Sequence, residues 1–153
     1  RYNEVVADDI EKAASNLNSG EITLVFSAHS LPQKMVDAGD IYEEHVKRHV
    51  QILTEILEKR GVKFKQTMLA YQSRLGPVKW LKPSLNQVLA ELKDKKALIY
   101  PISFCIDNSE TVFELSKEFK RIADELKFDF YDVVACPNDD DKFAKFIADR
   151  AKE

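Results

Sequence analysis

Four short apolar runs, at 22–26, 65–71, 97–102 and 131–135, alternate with longer segments whose apolar residues recur at helical spacing, at 41–60, 83–93, 110–126 and 139–151. This alternation constrains the chain more than any other feature. Strands separated by helices are the mark of βαβ units, which assemble into a mostly parallel sheet with right-handed crossovers. A further helix is expected at 2–17, where Val5, Val6, Ile10, Ala13, Ala14 and Leu17 fall at helical spacing. The expected fold is an α/β sandwich of about four parallel strands with helices on both faces. At 153 residues the chain is long enough for one full core and too short for two ordinary domains. No repeat, low-complexity tract or linker divides it, so 1–153 reads as one unit.

Local punctuation supports these boundaries. Asp40 precedes Ile41-Tyr42-Glu43, so Asp40 is expected to cap the 41–60 helix while Glu43 reaches back to complete a capping box. Gly61 is expected to close that helix, because a C-terminal cap needs a residue that tolerates positive φ. Pro83 suits the first turn of the next helix.

Composition removes several classes of function. The net charge of −3, with acids and bases interleaved, leaves no clustered basic surface for nucleic acid. No apolar run approaches the roughly 20 residues needed to span a bilayer, and no secretory leader opens the sequence. Cys105 and Cys136 lie far apart and fit no zinc spacing; each adjoins an apolar run, where a thiol behaves as a small buried hydrophobe. Free cysteines point to a reducing cytoplasm.

Chemistry is expected where the strands end, since ligands of open α/β sheets bind outside the carboxyl ends. The first run stops at Ala28-His29-Ser30, which puts an imidazole, a group suited to proton transfer or metal ligation, at that edge. The later runs bring Tyr71-Gln72-Ser73-Arg74, Ser103 to Glu110, and Cys136-Pro137-Asn138-Asp139 to the same edge. A histidine, several carboxylates, an arginine and the single tryptophan, Trp80, would then converge on one pocket. Glu110, Glu114 and Glu118 are spaced by four, so they stack along one face of a helix; the ridge either attracts a cation or is a solvated acidic face. With Asp107 as cap, Glu110 also sits where a capping-box glutamate would. His45 and His49 share a helix face but lack the further ligands of a zinc site. Trp80 either stacks on a planar ligand or closes a hydrophobic cluster under its loop. No nucleophile elbow and no Gly-rich phosphate loop is present.

Several segments, taken in order, resemble the ferrochelatase family, whose members insert Fe²⁺ into protoporphyrin IX to form protohaem. Phe26-Ser27-Ala28-His29-Ser30-Leu31-Pro32 is similar to the family's histidine signature, and Gly39-Asp40-Ile41-Tyr42 resembles its Gly-Asp-Pro-Tyr. The run from Tyr71-Gln72-Ser73-Arg74 through Trp80 to Pro83 is similar to a second signature, and Pro101 to Thr111 resembles a third. Cys136-Pro137-Asn138-Asp139 resembles a stretch near the family's C-terminus. Two departures stand out. Asn108 replaces a common histidine, and Ser116 sits where an acid is common.

The resemblance covers nearly the whole chain and implies a Rossmann-like or flavodoxin-like sandwich of the chelatase type, equivalent to the C-terminal half of a protein about twice as long. It implies that protoporphyrin IX and Fe²⁺ are the substrates, and that the N-terminal half supplies the other wall of the cleft. The chain alone is then expected to be inactive. His29 and Glu110 are implied to flank the porphyrin centre, His29 as proton acceptor or iron ligand and Glu110 as the opposing carboxylate. Glu114 and Glu118 would lead the cation in, and Tyr42, Ser73 and Trp80 would contribute to the porphyrin wall. The cysteines that hold an iron–sulfur cluster in some relatives have no counterpart, so no cluster and no cofactor beyond substrate iron is expected. The implied location is cytoplasmic, with the loose membrane contact of some relatives left open. Rival readings are a cobalt or nickel chelatase acting on another tetrapyrrole, a non-catalytic flavodoxin-like ligand-binding module, and a metal-binding protein that uses the acidic ridge alone.

Overall fold

The computed structural model describes residues 1–152. Helix α1 (Tyr2–Ala14) leads into strand β1 (Thr23–His29), a short helix α2 (Gln33–Asp37) and the long helix α3 (Tyr42–Lys59). Strand β2 (Gln66–Gln72), helix α4 (Leu85–Glu91) and strand β3 (Lys96–Tyr100) follow. A π-helical segment (Ser109–Phe119) continues directly into α5 (Lys120–Glu125), then β4 (Phe130–Val133) and α6 (Asp141–Arg150). All strand pairs are parallel, in the order β2-β1-β3-β4. The chain moves outward from β1 to β2 and returns past β1 to β3, so the direction of winding reverses between β1 and β3. That reversal is where open α/β sheets hold their ligands.

Alternation along β1 builds two cores. Leu24, Phe26 and Ala28 point to one face, against Val6 and Ile10 of α1 and Leu53 and Leu57 of α3. Val25 points to the other, against Leu85, Val88 and Leu89 of α4 and Leu115, Phe119 and Ala123 of the π-helix and α5. Helix α6 packs on α1, with Phe143 and Phe146 against Tyr2 at ring distances of 5.8 and 5.7 Å.

Several boundaries differ from those expected. Strand β1 runs past Phe26 to His29, because Ser27, Ala28 and His29 stay in register with Ala70, Tyr71 and Gln72 of β2. Gly61 closes α3 as expected: at φ 77° it lets Val62 N–H reach Leu57 O at 2.9 Å. Asp40 accepts from Tyr42 N–H at 2.8 Å, but Glu43 pairs with Lys47 one turn on and completes no capping box. Pro83 lies outside α4; Ser84 is the cap, accepting from Gln87 N–H at 3.2 Å. Cys136 is buried as expected, whereas Cys105 is exposed. Burial, with Asp107 alongside, pushes the Cys136 thiol upward from its ordinary value.

Candidate functional site

His29 is the last residue of β1, and its imidazole leans on the edge of Phe104 from the loop after β3. Its Nδ1 lies 2.8 Å from Ser30 O. A carbonyl oxygen only accepts, so Nδ1 carries a hydrogen, and in the neutral ring the lone pair then lies on Nε2. Nε2 faces Glu110 Oε1 at 3.6 Å. The two side chains are 39% and 40% exposed, which leaves both reachable by a ligand. An imidazole nitrogen and a carboxylate this close can present a lone pair and a negative charge to the same ligand.

Glu110 is free for this position because it does not cap its own helix. The cap is Asn108, whose Oδ1 accepts from Glu110 N–H at 2.8 Å while Thr111 Oγ1 accepts from Asn108 N–H at 2.9 Å. The expected capping box of Asp107 and Glu110 is therefore replaced by one made of Asn108 and Thr111. Asp107 instead ties the loop after β3 to the loop after β4. It accepts from Thr111 Oγ1 at 2.9 Å, from Asn138 Nδ2 at 2.7 Å and from Cys136 N–H at 3.3 Å. Burial pushes the Asp107 carboxyl up, but these donors outweigh it and hold the group below its ordinary value.

The acidic ridge is split rather than aligned. In a π-helix the backbone bonds run from i to i+5, so residues four apart no longer stack as in an α-helix. Glu110 turns to His29. Glu114 turns to the loop after β2, accepting from Ser73 N–H at 2.7 Å, Ser73 Oγ at 2.6 Å and Gln72 Nε2 at 3.1 Å. Glu118 is exposed. Gln72 is itself buried; its Oε1 accepts from Ser27 Oγ at 2.8 Å and its Nε2 also reaches Glu110 O at 2.9 Å. Ser73 sits at φ 62°, a left-handed conformation that aims both its donors at Glu114.

Tyr42 opens α3 and has its hydroxyl within the protein, 2.8 Å from His29 O and 2.6 Å from Ser103 Oγ. Burial raises its pKa, and the Ser103 contact opposes that rise. Trp80 is half-buried; its backbone bridges to Pro32, and its ring N–H is buried with no partner among the described residues. His45 is exposed, while His49 packs on Tyr2 at 6.0 Å and burial lowers its pKa, so the two form no ligand pair. Among the described residues no group of three His, Cys, Asp or Glu side chains could hold a metal ion. Sequence reasoning did not assign Gln72, Ser103 or Thr111 any role. Only the order of the strands, which sets the β3 loop beside β1, brings Ser103 to His29.

A profile of the family described as Ferrochelatase matches residues 1–153, the whole length of the chain. The chain belongs to the ferrochelatase family. It is 56% identical over 151 residues to a Ferrochelatase of Campylobacter concisus, covering 99% of this chain and 48% of the relative. It is 54% identical over 153 residues to one of Campylobacter fetus, covering 100% and 49%, and 51% identical over 148 residues to one of Nitratiruptor, covering 97% and 47%. The chain thus spans about half the length of the curated relatives it matches. Among solved structures it is similar to a putative cobalamin (vitamin B12) biosynthesis CbiX protein from Marinobacter aquaeolei VT8, at 13% identity and a TM-score of 0.49, covering 86% of this chain and 94% of that one. Asn108 has a definite local task, capping the π-helix that carries Glu110.

Proposed function

We propose that this chain forms the C-terminal wall of a ferrochelatase cleft and takes part in inserting Fe²⁺ into protoporphyrin IX. The observation that carries the reading is the pairing of His29 Nε2 with Glu110 Oε1 at the winding reversal of the sheet, in a chain of this family. Metallation must remove two pyrrole protons and strip water from a divalent ion. His29, with Nδ1–H engaged by Ser30 O, presents Nε2 as the proton acceptor. Glu110 balances the charge that develops on the ring and relays the proton outward, or ligates the metal as it arrives. A cleft shaped to a bent macrocycle favours the transition state over the flat substrate.

Glu118 and the outer face of Glu114 provide negative charge along the cation's approach. Imidazole and carboxylate suit Fe²⁺, so Zn²⁺ and Co²⁺ compete for the same route. Apolar surface for a macrocycle is supplied by Leu75, Ile106, Val112 and Phe113, all exposed on the loops and helix that carry the site. Trp80 is assigned to the same wall. Tyr42 and Ser73, whose hydroxyls are engaged by His29 and Glu114, act there through those residues. The opposite wall is assigned to an N-terminal half of the same polypeptide, so residues 1–153 alone do not turn over. Two cysteines are too few for a four-cysteine cluster, and none is assigned to this chain. Among the described residues no helix is long and apolar enough to cross a membrane. A cytoplasmic site of action with loose peripheral membrane contact is proposed from the family resemblance alone.

The test is titration of the natural full-length protein with protoporphyrin IX, followed by anaerobic Fe²⁺ addition. The reading expects a shifted Soret band on binding and its conversion to that of haem. Turnover with Co²⁺ or Ni²⁺ on another tetrapyrrole, and none with Fe²⁺ on protoporphyrin, favours the rival chelatase. Absence of any Soret change defeats both.

A further inference from the structure

His29 projects from a stretch of β1 whose neighbour on one side has run out. The β1–β3 ladder pairs Thr23 to Phe26 with Ala97 to Tyr100 and goes no further. Backbone groups of successive strand residues face alternate sides. Ser30 N–H bonds Gln72 O of β2, whereas Ser27 O accepts from Ile102 N–H on the β3 side. His29, two residues beyond Ser27, therefore turns both its N–H and its C=O toward β3, where no strand remains to pair them.

Two side chains take the place of that strand. His29 N–H donates to Ser103 Oγ at 3.0 Å, and His29 C=O accepts from Tyr42 OH at 2.8 Å. The hydroxyls are 2.6 Å apart. Because the phenol hydrogen is spent on His29 O, the serine hydrogen must point to the Tyr42 oxygen, and the three residues close a ring of hydrogen bonds that polarise one another.

We propose that Ser103 is a positioning residue for His29, the part that closes the Tyr42–Ser103 ring and so fixes the direction in which the imidazole leaves the sheet. The inference rests on the reading of His29 as proton acceptor. The ring sets the backbone of His29, the backbone sets the Cα–Cβ direction, and the short side chain carries that direction to Nε2. A group that must meet a pyrrole nitrogen tolerates little misplacement, since an error of about 1 Å can cost about 100-fold in rate.

The experiment uses the natural full-length protein with Ser103→Ala, Ser103→Thr and Tyr42→Phe. It measures kcat and KM for Zn²⁺ insertion into protoporphyrin and the ¹⁵N imidazole signals of His29. Ser103→Ala is expected to lower kcat about tenfold with KM changed less than about twofold, because the loss falls on orientation rather than binding. Ser103→Thr, which keeps the hydroxyl, restores most of the rate. Ser103→Ala combined with Tyr42→Phe costs little more than the worse single change, because the ring acts as one unit. The ¹⁵N signals report the Nδ1–H form in the parent and a mixture of tautomers in Ser103→Ala. Parental kcat with parental imidazole signals in Ser103→Ala overturns the proposal, as does a loss of rate that Ser103→Thr fails to recover. If His29→Ala leaves turnover intact, the reaction assigned to His29 fails, and altered imidazole signals in Ser103→Ala still uphold the positioning.

Discussion

Nε2 of His29 and Oε1 of Glu110 stand 3.6 Å apart although they lie 81 positions apart in sequence, and each is delivered by a different device. The histidine is delivered by the end of β1. The glutamate is delivered by the first turn of a π-helix that Asn108 and Thr111 cap in its stead. If His29 accepts the pyrrole proton with Glu110 as its counter-charge, as proposed, the consequence is kinetic.

His29→Ala and Glu110→Gln in the natural full-length protein should each lower kcat for metal insertion by at least about 100-fold, the usual scale for removing a general base or its partner. Steady-state rates with Fe²⁺ and Zn²⁺ check this. Near-parental turnover in both variants would remove the assigned roles.

Asp107 knots the loop after β3 to the loop after β4, and its carboxyl is held below its ordinary value of 3.8 by Asn138, Thr111 and the Cys136 amide, against the effect of burial. A depressed carboxyl stabilises the fold above its unfolded value, and that contribution is lost as pH falls through the folded value. Asp107→Ala should therefore cost about 2 kcal/mol at pH 7 and flatten the acid limb of the stability curve below about pH 4. Urea melts at pH 7 and at pH 3 to 4 measure both effects; an unchanged acid limb would count against the knot.

Asp9 on α1 behaves with the opposite sign. Burial, together with the nearby Asp140 and Asp8, raises its carboxyl to about 6, and its Oδ2 is buried with no partner among the described residues. A raised pKa favours the neutral form in the fold, so the benefit is complete below about pH 4 and disappears as pH climbs through about 6. Asp9→Asn should gain about 1 kcal/mol at pH 8 and nothing at pH 4, a figure reduced because solvent reaches part of the side chain. Equal effects at the two pH values in chemical denaturation would contradict this.

His49 is held neutral against Tyr2, and burial lowers its pKa from 6.5. Its contribution is present above pH 6.5 and is lost as pH falls through the lower folded value. His49→Phe keeps the aromatic packing and should make the protein less sensitive to acid as pH falls below 6.5. Thermal melts of parent and variant that remain parallel below that pH would refute it.

The alternation of apolar runs with amphipathic segments was enough to specify four parallel strands, helices on both faces and a ligand edge at the carboxyl ends. Burial drives that pattern, and burial is written locally, as the period of Leu24-Val25-Phe26 or of Val46, Leu53 and Leu57 along α3. That His29 and Glu110 meet at one edge was also legible, because strand ends and helix starts can be found along the chain. The cap and the acidic ridge were not. Asp107 and Asn108 are equally good caps in isolation, and the choice between them was made by Asn138 on the neighbouring loop, which claims Asp107. Spacing by four promised one face for Glu110 and Glu114, and the π-helical winding sent them to different partners. Ser103 had no mark of its own; it matters because the strand order puts β3 beside β1 and lets it stop short. Local patterns decide which elements form, since they depend on neighbours in sequence. Which side chain satisfies an unpaired backbone group at a strand's end depends on what stands next to it in space, and only the tertiary structure decides that.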